Sequence, residues 1–165
     1  MTQASNTAGG EAGEFDLTVT RLLKAPRELV WRCWTEPQHL KEWFAPRPWT
    51  VSEARVEMRP GGLFQIVMCS PEGEEMRGDP GSILHVVEKE MIVLTDALGP
   101  GWRPNKEPFF SAIVTLADEA GGTRYTARAL HKNDADRETH AKMGFMEGWG
   151  TCIDQLGELA LRLAR

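Results

Sequence analysis

The 165-residue sequence has three cysteines, one tyrosine, and no apolar run approaching the ~18 residues that would cross a membrane. Cys33, Cys69 and Cys152 are odd in number, far apart and set among apolar neighbours. They read as reduced thiols packed as small hydrophobes, which fits a cytoplasmic setting. Basic residues are outnumbered, 19 against 24 acidic, for a net charge of −5, and they form no cluster. A phosphate-binding face is therefore missing and nucleic acid is excluded as a partner. Close ligand pairs such as H-x₃-H or C-x₂-C are absent, so no metal site is expected. His131 and His140, with Asp134 and Asp136 between them, are too widely spaced and read as solvated groups at a helix start. No nucleophile elbow, P-loop or dinucleotide fingerprint occurs, so neither a cofactor nor a catalytic constellation is predicted. Gly99-Pro100-Gly101 is a turn with no helix behind it to cradle a phosphate. Residues 1–13 are small and polar, without the apolar core of a secretory signal, and read as a disordered tail before a single domain over 14–165.

At 41% hydrophobic the chain can bury a substantial core. Phe15, Leu17 and Val19 alternate with polar residues, the mark of a half-buried strand. Two short helices follow, one opened by Pro26 with Leu29, Val30, Cys33 and Trp34 on its apolar side, the other over about 38–44. The periodicity then changes to two. Strands are predicted in the 53–58, 63–69, 82–88, 91–96, 109–116 and 123–131 regions, divided by Gly/Pro or charged turns. Phe145, Trp149, Cys152, Leu156, Leu159 and Leu163 recur at helical spacing, predicting one long helix over about 133–163. The consecutive hairpins imply an antiparallel sheet with that helix on its concave face, an α+β fold. Tyr125, Ala127, Ala129 and His131 should face the helix, and the small alanines leave space beneath it.

Four segments carry a family resemblance. They are Pro26–Pro37 (PRELVWRCWTEP), Arg59-Pro60-Gly61-Gly62, the loop from Thr95 to Trp102 (TDALGPGW), and His140–Trp149 (HAKMGFMEGW). In this order, and over about residues 14–163, the sequence resembles bacterial proteins of the Hsp90-ATPase-activator-homologue (AHSA1-like) type. These belong to the START/Bet v 1-like (SRPBCC) superfamily. The resemblance implies a helix-grip fold, a curved antiparallel sheet wrapped around a long C-terminal helix. It also implies a cavity between the two that holds apolar or amphipathic molecules, with a few superfamily members cyclising or hydrolysing them.

The expected partner is therefore a small apolar or aromatic ligand. Phe64, Ile66, Met68, Phe110, Tyr125, Met146, Trp149 and Ile153 are the expected apolar wall, with His85 and Asp96 as sparse polar contacts. Trp102, a large ring in a Gly/Pro loop, is expected either to close the cavity mouth or to form a contact in a homodimer. Two other readings stand beside this one. One is acid/base chemistry in the same cavity through His85, His131 or Asp96 on a polyketide-like or ester substrate. The other is a co-chaperone or regulatory module that uses its surface.

Overall fold

The computed structural model describes residues 13–165. The expected tail lies outside the described residues except for Gly13, whose amide donates to Asp16 Oδ2 at 2.8 Å. The chain then runs through β1 (Asp16–Leu23), α1 (Arg27–Thr35), α2 (Pro37–Trp43), β2 (Thr50–Val56), β3 (Leu63–Cys69), β4 (Glu75–Met76), β5 (Gly81–Val87) and β6 (Met91–Thr95). A two-stranded ribbon of β7 (Leu98–Gly99) and β8 (Arg103–Pro104) encloses a single 3₁₀ turn at Pro100–Trp102. β9 (Ser111–Glu119), β10 (Gly122–Leu130), α3 (Asp134–Lys142) and α4 (Phe145–Leu163) complete it.

The main sheet is antiparallel in the order β1-β10-β9-β6-β5-β3-β2, with β4 beside β3. Hairpin connections produce most of this order, as the alternating pattern and Gly/Pro turns dictate. α4 packs on β1, α1 and α2, and α2 packs on β2, so the helices bridge the two ends of the curved sheet. This is the α+β helix-grip architecture. Val19, Tyr125, Ala127 and Ala129 from the sheet join Phe145, Ile153, Leu156 and Leu159 from α4 in one core. Fully burying each of the larger side chains contributes roughly 1.5–3 kcal/mol.

One helix was expected over 133–163, and the structure has two. Asn133 caps α3, its side chain accepting from the Asp136 amide at 2.8 Å. Gly144 then takes φ 91°, a left-handed conformation suited to glycine, and ends that helix. α4 starts afresh at Phe145.

Within α4 the apolar stripe is interrupted by Gln155, only 4% exposed. Its amide donates to the carbonyls of Trp43 (3.1 Å) and Ala45 (2.9 Å) and accepts from the Arg47 amide (3.0 Å). One side chain thus satisfies three backbone groups of the chain leaving α2 and fastens that segment to α4.

Candidate functional site, an apolar cavity under the last helix

A cavity of about 390 Å³ lies between the sheet and α4. This is within the roughly 300–1,000 Å³ range of small-molecule sites. The sheet supplies Phe64, Met68, Leu94, Ala112, Val114, Tyr125 and Ala127, with Phe109 and Phe110 just before β9. The first helices and the chain after them supply Trp34, Trp43, Phe44 and Pro46. His140 of α3, Met143 and Gly144 at the break, and Phe145, Gly148, Trp149, Cys152 and Ile153 of α4 close it.

Aromatic contacts fix much of this wall. Trp34 meets Trp43, Phe44 and Phe64 with ring centroids 5.3–6.1 Å apart, and Phe145 lies 4.5 Å from Trp149. Trp34 Nε1 donates to the Tyr125 hydroxyl at 2.8 Å and Trp43 Nε1 to the Cys33 carbonyl at 2.9 Å, so both indoles are satisfied in the core. An added Cβ at Gly148 would meet nothing within 4 Å. The thiol and the phenol on this wall would become nucleophiles only by losing a proton, and burial keeps both protonated. The Cys152 thiol is pushed up to about 12, and the Tyr125 phenol is raised as well.

Of the residues expected at the site, Phe64, Met68, Phe110, Tyr125, Trp149 and Ile153 line the cavity. Ile66 packs against the core without reaching the wall, and Met146 is 53% exposed on the outer side of α4. His85 is exposed, and the reason is a β-bulge. Ile83 pairs with Leu94 but His85 pairs with Val93, so Leu84 is an extra residue that reverses the alternation. Ile83 is fully buried, and His85, two residues on, points the other way.

Asp96 lies outside the cavity and works on its wall. Its carboxylate accepts from the amides of Phe109 (2.9 and 3.1 Å) and Phe110 (3.3 Å), which holds both rings at the start of β9. Burial raises its pKa, opposed by those amides and by Lys132. Trp102 does not close the mouth. It takes φ 63°, is 55% exposed, and lies across Gly61, where an added Cβ would sit 3.0 Å from the indole.

His131 and His140, expected as solvated groups at a helix start, are both buried, and His140 is the polar wall residue that sequence reading missed. Its ring is 6% exposed, sits 5.0–5.7 Å from the rings of Phe109, Phe110, Phe145 and Trp149, and lines the cavity. His140 Nδ1 is 2.8 Å from His131 Nε2, and His131 Nδ1 is 2.7 Å from the Phe15 carbonyl. Burial, and then the neighbouring His131, hold the His140 pKa down at about 4, so this imidazole is neutral at pH 7. Among the described residues no helix is long and apolar enough to cross a membrane.

A curved sheet gripping a C-terminal helix over an apolar cavity defines the helix-grip class of proteins. The chain belongs to the family of Activator of Hsp90 ATPase homolog 1-like proteins, whose model matches residues 24–160. Among solved structures it is similar to protein NE0264 from Nitrosomonas europaea, with 42% identity over 93% of this chain and 99% of that one, at TM-score 0.89. Protein Ms6760 from Mycobacterium smegmatis shares 25% identity over 88% of this chain and 90% of its own, at TM-score 0.74. An AHSA1-like protein from Aeromonas hydrophila, 17% identical over 90% and 94% of the two chains, shares the fold at TM-score 0.66. No curated protein matches the chain.

Proposed function

We propose that this protein binds a small apolar or aromatic molecule in the cavity between its sheet and α4. The observation that carries this reading is a cavity of about 390 Å³ whose wall is almost wholly aromatic and aliphatic. Core side chains normally pack to the density of organic crystals, and an unfilled space of this size sacrifices dispersion contacts. Gly148 and Ala127 keep the space open where leucine or alanine would be ordinary helix or core residues. On the wall the thiol and the phenol are both held in the protonated state. Two of the three candidates for acid/base work, His85 and Asp96, stand away from it, and the third, His131, reaches it only through its 2.8 Å contact with His140.

Equilibrium dialysis of the full chain against 2-methylnaphthalene tests the reading. Saturable binding of one probe per chain is expected. A folded protein that takes up no probe would sink the proposal and move the surface-module reading ahead.

A further inference from the structure

The hydrogen bonds around the two buried histidines fix which way their protons point. A backbone carbonyl only accepts, so His131 Nδ1 carries a proton and donates it to Phe15. In a neutral imidazole the other nitrogen is then bare, so His131 Nε2 is the acceptor in its 2.8 Å contact with His140. His140 Nδ1 therefore carries the shared proton. Its own Nε2, one carbon further round the ring, is left as a bare lone pair. No described residue bonds that nitrogen.

That lone pair belongs to a side chain 6% exposed on the wall of an apolar cavity, and it is a ready acceptor for a donor that enters. The other polar side chains on the wall do not compete for the same role. The Tyr125 hydroxyl is already held by the Trp34 indole, and the Cys152 thiol is a weak hydrogen-bonding group.

We propose that the ligand is an aromatic or alicyclic molecule bearing a hydroxyl group, which donates a hydrogen bond to His140 Nε2. The inference rests on the cavity being a binding site and adds the chemical class of its occupant. His131 is a positioning residue in this scheme: anchored on Phe15 of the chain entering β1, it sets the tautomer of His140 and touches no ligand. Four surrounding rings keep the His140 plane fixed, so the acceptor is directed before the ligand arrives.

The test compares 2-naphthol with 2-methylnaphthalene, two probes of nearly one shape that differ in the donor. Dissociation constants are measured by equilibrium dialysis near neutral pH on the parent and on His140→Phe. The preference for 2-naphthol over 2-methylnaphthalene should fall at least about fivefold in the variant, the scale of one net hydrogen bond. If neither probe binds the folded parent, the cavity reading itself fails. If both bind and the preference is unchanged, the hydroxyl assignment fails and the apolar site stands.

A second measurement needs no variant. In the ¹⁵N spectrum of the parent, the His140 Nε2 resonance should report an unprotonated nitrogen that shifts with 2-naphthol and far less with 2-methylnaphthalene. A protonated Nε2 in the free protein, or equal shifts with both probes, overturns the assignment.

Discussion

Gly148 offers a stepwise measure of how empty the cavity is. It lies inside α4 with helical backbone, and an added Cβ would meet nothing within 4 Å. Gly148→Ala should therefore gain the ordinary helix-propensity difference, about 1 kcal/mol, with no steric cost. Gly148→Leu adds three more carbons on the cavity side. At about 0.8 kcal/mol per buried methylene they contribute up to about 2 kcal/mol, less about 0.5–1 kcal/mol for the immobilised side chain. The leucine variant should thus be as stable as the alanine variant, or more stable by about 1 kcal/mol. In a filled core the same leucine would overpack and cost roughly 1–3 kcal/mol. The two outcomes are far enough apart to resolve by urea titration, provided the slope of the transition is unchanged. In thermal melts each kcal/mol is about 2–4 °C for a chain of this size. Binding supplies the second readout. Gly148→Ala should leave 2-methylnaphthalene uptake nearly intact, and Gly148→Leu should weaken it at least about tenfold by occupying the space. A leucine variant well below the alanine variant in stability would show that the space is not open. A stable leucine variant that binds the probe normally would place the binding site elsewhere.

Two further outcomes follow from buried polar groups. Gln155→Leu removes the partner of two carbonyls and one amide. It should cost about 2–4 kcal/mol in denaturant unfolding although leucine suits the apolar stripe better; a neutral result would mean those groups find other partners. The His140 pKa lies below its unfolded value, so protons favour the unfolded chain between pH 6.5 and about 4. Its contribution is fully present above pH 6.5 and is lost as pH falls toward about 4, by up to about 3 kcal/mol. Urea midpoints across that window should fall more steeply in the parent than in His140→Phe, and equal slopes would refute the burial argument.

Much of the fold was legible because its elements obey their periods. The alternation of Phe15, Leu17 and Val19, the Gly/Pro turns, and the spacing of Trp149, Cys152, Leu156 and Leu159 each gave an element of the right type in the right order. The structure placed the sheet and α4 accordingly. Six of the expected wall residues came with them; Phe64, Met68 and Tyr125, for example, sit where alternation puts them. Trp34 was legible as core but not as wall, and Trp43 and Phe44 only as parts of the short second helix. Nothing local says that α1 and α2 approach the sheet ends closely enough to share the cavity, because that depends on how far the sheet curls. Arg128 of β10 is 5% exposed, and its guanidinium lies 3.4 Å from the Asp16 carboxylate, a pairing that alternation alone does not signal.

The two histidine misplacements share one physical origin, a reversal of phase. Both histidine assignments assumed that a period, once established, continues. In β5 the extra residue Leu84 moves every later side chain to the opposite face, so His85 leaves the concave side. No residue type in that strand signals the bulge. In the C-terminal segment the opposite happens. On one unbroken helix at about 100° per residue, His140 would stand about 140° from Phe145, on the polar face. The left-handed Gly144 ends that helix and re-aims α3, and His140 swings in beside Phe145 with ring centroids 5.1 Å apart. This second reversal had a visible signal. His140 and Lys142 fall in the last turn of α3 with Gly144 just beyond, the pattern of a helix end. Gly144 is thus the joint that carries His140 onto the cavity wall.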